Sequence, residues 1–340
     1  MLTTIHNPDQ YMTDLRQALA QGRKRLGLLL GAGAPASVKV DQSSGLLSDN
    51  EQPLIPTTRE LTDRVLGGAP NSHRAALDAV LADLGGTPDI ETVLSRIRSL
   101  ADVLGANLLH SLDGSGYARL ADDLCKRIGS LVQVSLPFGV TPYSELASWI
   151  GGVPRAHAVE IFTCNYDLLI EEALERAKVP YFDGFCGSRE PFFDPATIAN
   201  ADLPPRWARI WKLHGSLGWK PNDSGEVVRS GGTSETSLIF PTHLKYDQTQ
   251  KLPYSALFDR LRGFLRQPDT MLLACGFSFR DAHVSAVIEE ALSSTPATSV
   301  IAFQHATLTE EKTATSIAER RSNLSVYAND GATINGVAGR

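Results

Sequence analysis

Apolar residues along this chain follow two rhythms. Short, nearly unbroken runs occur at 25–30 (RLGLLL), 158–163 (AVEIFT), 208–213 (ARIWKL), 237–242 (SLIFPT), 270–276 (TMLLACG) and 299–304 (SVIAFQ). Runs of this length read as strands buried on both faces. An amphipathic helical stretch at 8–23 precedes them, and others at 165–177, 254–267 and 281–293 separate most of them. Strands alternating with helices predict an α/β fold, a parallel sheet with helices on both faces.

From 57 to about 156 the rhythm is helical throughout. In DIETVLSRIRSLADVLG, residues Ile90, Val93, Leu94, Ile97, Leu100, Ala101 and Leu104 fall on one helical face, and Asp89 is placed to cap it. The spacing predicts an insertion of four or five helices at 57–156, dividing a main domain made of 1–56 and 157–340. Residues 39–56, polar with Gly and Pro, read as a long loop. Residues 183–235, rich in Pro, Gly and aromatics, read as a small irregular insert. GRKR at 22–25 reads as the solvated end of the first helix.

Composition narrows the class. The chain has 340 residues, 42% hydrophobic and 21% charged, values of an ordinary globular protein rather than a disordered one. A net charge of -6 argues against a nucleic-acid footprint over the whole surface. No apolar run approaches the ~20 residues of a membrane span, and the first residues carry no secretory pattern. These features predict a cytoplasmic protein. Cys125, Cys164, Cys186 and Cys275 include no C-x-x-C pair, so neither a zinc ribbon nor a disulfide framework is expected.

Candidate chemistry lies where strands give way to helices. Ligands of parallel sheets bind outside the carboxyl ends of the strands. Four such junctions are polar or glycine-rich. The first, Gly31-Ala32-Gly33-Ala34-Pro35, lets the backbone approach a pyrophosphate, or is simply a tight turn. Gly31, Gly33 and Ala36 fit a dinucleotide fingerprint, but its acidic partners, Asp49 and Glu51, follow no second strand. The second is Thr163-Cys164-Asn165-Tyr166-Asp167, where Asn165 and Asp167 could cap a helix. The third is His214-Gly215-Ser216, which places a histidine suited to general base work at a strand end. The fourth is CGFSFRDAH at 275–283. There Gly276 and Ser278 could contact a ribose or phosphate, and Asp281 reads as a helix cap. His6, His73, His110, His157 and His305 have no partner motif. No nucleotide-triphosphate loop, H-E-x-x-H or G-x-S-x-G pattern is present.

In this order the four junctions resemble the sirtuin-like superfamily, with its G-A-G loop, T-Q-N-x-D motif, H-G pair and G-T-S segment. LIPTTREL at 54–61 is similar to the segment that covers the cofactor there. The chain departs from protein-deacylating sirtuins in lacking a four-cysteine zinc module and in carrying Cys164 for the usual Gln. FTCNYDLLIEEAL, KLHGSLGW and GFSFRDAH look more like the bacterial sirtuin-like NADases of antiphage defence, above all the subunit paired with a HerA-type ATPase.

The resemblance implies a Rossmann-type NAD-binding domain, NAD+ as substrate, and release of nicotinamide with ADP-ribose, or a cyclised form of it, without a metal. Asn165 would hold the nicotinamide ribose and the attacking water, His214 would be the base, and Asp167 would help hold the nicotinamide end or the local network. Gly31, Ala32 and Gly33 would offer N–H groups to the pyrophosphate. Thr163, Gly276 and Ser278 would complete the cofactor site, with Ser278 toward the adenosine ribose. A homo-oligomer and an ATPase partner are also implied, with no direct contact to nucleic acid. Three alternatives stand beside this one: an NAD-dependent deacylase or ADP-ribosyltransferase, a non-catalytic NAD or ADP-ribose sensor, and a dehydrogenase.

Overall fold

The computed structural model describes residues 4–41, 45–48, 52–200, 203–230 and 252–340. The strand expected at 237–242 and the acids Asp49 and Glu51 lie outside them. Seven strands form a parallel array: β1 (Arg25–Leu30), β4 (Glu160–Thr163), β5 (Tyr181–Phe182), β8 (Ala208–Lys212), β11 (Thr270–Cys275), β12 (Ser299–Phe303) and β13 (Leu324–Ala328). Two antiparallel strands, β14 (Gly331–Ile334) and β15 (Val337–Gly339), extend one edge. The order is β15-β14-β13-β12-β11-β1-β4-β8-β5. The expected α/β class, a parallel sheet with helices on both faces, is the observed one.

Alternation along each central strand feeds two cores. Leu26, Leu28 and Leu30 of β1 face one side with Ile161, Ile210, Met271 and Leu273. Leu29 faces the other with Phe162, Trp211, Leu272 and Ala274. Gly27 is required by packing, because a Cβ there would lie 2.5 Å from the Phe264 ring. Leu29 is fully buried, so its truncation to Ala should cost about 2–5 kcal/mol.

Between β1 and β4 run five helices: Thr58–Gly67, Arg74–Leu84, Ile90–Leu104, Gly114–Val132 and Pro142–Gly152. Asp89 caps the third, its Oδ1 accepting from Thr92 N–H at 2.8 Å. Val65, Leu77, Ile97, Leu120 and Ile128 of these helices share one apolar cluster with the first face of the sheet. The helices therefore pack on the sheet.

Several local expectations change. The first helix ends at Ala20, and Arg25 opens β1 instead of closing a helix. The positive φ of Gly22 turns the chain between them. The helix expected from 165 begins at Leu169 and runs to Arg176, because residues 165–167 are held by tertiary contacts. The insert at 183–235 is more ordered than its composition predicts. β6 (Phe185–Cys186), β7 (Phe192–Phe193), β9 (Trp219–Pro221) and β10 (Val227–Arg229) form a four-stranded sheet. Phe185 packs on Trp219 and Phe193 there. Within 39–56, β2 (Lys39–Val40) pairs with β3 (Gln52–Pro53).

Candidate active site

The loops that follow β1, β4, β8 and β11 meet at the carboxyl edge of the sheet. There β1 lies between β11 and β4, and the chain departs in opposite directions on its two sides.

The β1 and β11 loops touch backbone to backbone. Gly31 N–H donates to Cys275 O at 3.0 Å, and Gly33 N–H to Gly276 O at 2.9 Å. A Cβ on Gly31 would stand 2.4 Å from Gly276 O, and one on Gly276 2.4 Å from Ala34 N. Gly276 also has φ +64, a conformation that favours glycine. This corrects one expectation. The N–H groups of Gly31 and Gly33 are spent on the neighbouring strand and loop and are not offered to a pyrophosphate. Of the three, only the Ala32 N–H has no partner among the described residues.

The β4 loop is tied to β1. Thr163 Oγ1 donates to Leu30 O at 2.9 Å and accepts from Asn165 N–H at 3.0 Å. Asn165 Nδ2 donates to Gly31 O at 3.0 Å. That carbonyl can only accept, which fixes the amide orientation and leaves Asn165 Oδ1 available. Thr163 thus positions Asn165. Neither residue caps the following helix.

Asp167 is held by other partners than Asn165. It is buried, and its Oδ1 accepts from Leu169 N–H at 3.1 Å. Lys212, itself buried, donates to the Asp167 carbonyl and pairs with Glu171 at 3.0 Å. Burial pushes the Asp167 and Glu171 carboxyls up, against the opposing pull of Lys212. A cleft of about 1480 Å³ opens beside this network, with Glu171, Lys212, Ser216 and Trp219 in its walls. His214 and Asn165 are not among the wall residues.

His214 is 4% exposed. Its Nε2 lies 2.9 Å from Asp281 Oδ2. The other Asp281 oxygen caps the helix Ala282–Ser294, accepting from His283 N–H at 2.9 Å and Val284 N–H at 3.1 Å. One carboxylate therefore starts a helix and orients an imidazole. Burial pushes the Asp281 carboxyl up, but His214 and the two helix N–H groups outweigh it and bring it down to about 2. Burial likewise opposes the charged imidazole. The hydrogen bond to Asp281 and the negative charges of Glu91 and Asp281 outweigh that and raise the His214 pKa. With Nε2 donating to the carboxylate, the neutral ring keeps its lone pair on Nδ1. That atom is buried and has no partner among the described residues.

Two contributors escaped the sequence reading. Asp281 carried only a capping signal, which is correct but incomplete. Glu91 sits in the first turn of the helix Ile90–Leu104, where an acid serves the helix dipole and signals nothing more. Its field reaches His214, Cys164 and Tyr166. Ser278 is half-buried beside Gly276.

Cys164 Sγ, a His214 ring nitrogen and an Asp281 oxygen all lie within 4.8 Å of one another, close enough for a cation to be considered. Burial holds the Cys164 thiol well above its ordinary range, with Asp281 and Glu91 adding to it. It is therefore a neutral thiol. His214 Nε2 and Asp281 are bonded to each other, so a metal would have to displace that bond.

A family model described as a SIR2-like domain matches residues 159–327. The match spans Asn165, Asp167, His214, Gly276, Ser278 and Asp281 and leaves out the β1 loop. No curated protein matches the chain. Among solved structures, one reported under the mechanism and regulation of Sir2 enzymes is 15% identical and covers 85% of this chain and 83% of its own, with a TM-score of 0.38. A Sir2 homologue mutant with ADP-ribose is 17% identical, covers 87% of both chains and has a TM-score of 0.32. A Sir2 homologue in complex with NAD is 15% identical, covers 88% of this chain and 83% of its own, and has a TM-score of 0.30.

Proposed function

We propose that the protein is an NAD+ glycohydrolase that releases nicotinamide and ADP-ribose. The observation that carries this reading is the buried, unpartnered Nδ1 of His214, held by Asp281 across the ring. An unpaired buried acceptor costs about 1–3 kcal/mol, so Nδ1 asks for a partner such as a water or a ribose hydroxyl. The SIR2-like match over the same loops supports NAD+ as the substrate.

The chemistry asks little of an acid. The bond from ribose C1′ to the nicotinamide nitrogen breaks with its electron pair returning to the ring, so nicotinamide leaves neutral. Water adds its oxygen to C1′ and gives a proton to the base. His214 Nδ1 takes that proton, directly or through a ribose hydroxyl. The resulting imidazolium is stabilised by Asp281 and by the charge of Glu91. Asn165 Oδ1 orients the ribose or the water, its amide locked onto Gly31 O. Asp281 is a positioning residue. Asp167, with Lys212 and Glu171, holds the β4 loop from behind. Ala32 N–H, Gly276 and Ser278 face the phosphates and the adenosine ribose. A positioned base of this kind contributes about 10² to 10⁴ in rate.

In this structure His214 is closed off, so substrate entry requires the surrounding segments to part. The helical stretch 57–156, treated as an insertion into the NAD-binding domain of 1–56 and 157–340, brings Glu91 to the site and is the place for control. A closed NADase fits an effector that depletes cytoplasmic NAD+ in antiphage defence, held off until a trigger arrives. The resemblance in the loop motifs favours a homo-oligomer paired with a HerA-type ATPase.

The test is NAD+ consumption with and without an acylated peptide. Equal nicotinamide and ADP-ribose in the absence of peptide supports the proposal. Consumption only when peptide is added contradicts it and favours a deacylase.

A further inference from the structure

Cys164 follows β4, His214 follows β8 and Asp281 follows β11. The carboxyl edge of the sheet thus gathers three side chains of metal-ligand type from three separate loops. One atom of each, the thiol sulfur, a ring nitrogen and a carboxylate oxygen, lies within 4.8 Å of the other two. Zinc bonds of about 2.3 Å to sulfur and about 2.0–2.2 Å to nitrogen and oxygen put tetrahedral ligand atoms about 3.3–3.6 Å apart. Side-chain shifts of about 1 Å therefore bring the three to that spacing. His214 Nε2 and Asp281 Oδ2, at 2.9 Å, need only part slightly. Cys164 and Asp281 are half-buried while His214 is buried, so an ion approaches from the thiol and carboxylate side.

The tautomers of His214 supply a second observation. Its Nδ1 is buried and has no partner among the described residues. The neutral ring can therefore move its proton from Nε2 to Nδ1 and turn the Nε2 lone pair toward an ion. The hydrogen bond between Nε2 and Asp281 then gives way to a shared cation. Charge favours the exchange. A coordinated thiol loses its proton, and one thiolate with one carboxylate neutralises a divalent ion. The negative charge of Glu91 also reaches both Cys164 and His214. Sulfur and imidazole nitrogen select a thiophilic ion, whereas magnesium and calcium take oxygen ligands.

We propose that Cys164, His214 and Asp281 form a binding site for a thiophilic divalent cation, zinc above all. The sulfur, Nε2 and a carboxylate oxygen each give a lone pair to the ion, and the fourth position goes to water. The Cys164 proton is released to solvent, and the ring proton stays on His214, now at Nδ1. The bound form is an off state. With its proton on Nδ1, His214 cannot take one from water. That consequence rests on the glycohydrolase reading, whereas the site itself does not.

Titration of the full chain with Co2+, in a non-thiol reductant, tests the site. Cobalt is the probe because its bond to a thiolate gives a charge-transfer absorption, which Zn2+ then removes by displacement. Cys164→Ser should abolish the absorption and weaken Zn2+ binding about tenfold or more. Asp281→Asn, which keeps the helix cap, should weaken binding as well. Cys186→Ser, at the half-buried thiol near Asp194, should leave both readouts unchanged. Zn2+ should also stop nicotinamide release by the parent protein, reversibly on chelation, and should not stop it in Cys164→Ser. If the parent protein releases no nicotinamide, the glycohydrolase reading fails while the absorption still decides the site. No thiolate absorption, or one that survives Cys164→Ser, overturns the proposal. Equal inhibition of the parent protein and Cys164→Ser overturns the off state.

Discussion

Asp281 Oδ2 holds His214 Nε2 at 2.9 Å across the carboxyl edge of the sheet, although the two residues follow different strands, β11 and β8. Asp281→Asn keeps the helix cap, since Asn caps as well as Asp, but removes the charge. Burial then acts on His214 with less opposition, and its pKa falls. A base must be deprotonated to act. The acid limb of the rate against pH should therefore move to lower pH, and kcat should drop about 10²-fold. A pH–rate profile of the two proteins reads both effects.

The same pair gives stability a pH window. Asp281 is depressed from 3.8 to about 2. Its contribution is present above 3.8 and lost as pH falls toward 2. His214 is raised above 6.5. Its contribution is present below 6.5 and lost as pH rises through the folded value. The stability lost in Asp281→Asn should thus peak near pH 5, at about 2 kcal/mol, and shrink on both sides. Urea denaturation at several pH values measures it.

Gly31→Ala drives a methyl into the Gly276 carbonyl. Backbone cannot yield as a side chain tip does, so a loss of at least about 2 kcal/mol is expected. Gly67→Ala is the control, because nothing lies within 4 Å of a Cβ there. It should be neutral or slightly stabilising. Chemical denaturation of the two variants compares them.

Lys212→Met leaves Glu171 and Asp167 buried without their cation. Breaking such a pair costs about 3–5 kcal/mol. Both carboxyls are already raised and would rise further. Uptake of protons would then relieve the variant, so its deficit should narrow as pH falls from 7 toward 5. Denaturation midpoints across that range follow it.

The sheet was legible because its central strands are apolar on both faces, as in RLGLLL and TMLLAC. Helix positions were legible from spacing and caps, as at Asp89 and Asp281. What the sequence hid was long-range. Asn165 carries a capping signal, yet its amide reaches Gly31 instead of the helix. Glycines that read as open to a phosphate are needed where two loops touch. The β6–β7–β9–β10 sheet was missed because strands of two or three residues show no period. Its aromatic contacts hold it instead. Arg25 looked like helix-end charge, yet it opens β1 after the turn at Gly22.

The central claim is that His214 takes the proton when the bond to nicotinamide is hydrolysed. The most direct measurement is chromatographic release of nicotinamide and ADP-ribose from NAD+ by the purified protein and by His214→Ala, with NAD+ binding measured on both. The parent protein should release equal amounts of the two products. His214→Ala should lose about 10² to 10⁴ in rate, with binding retained. Release undiminished in His214→Ala, or NAD+ bound and left intact by the parent protein, would contradict it.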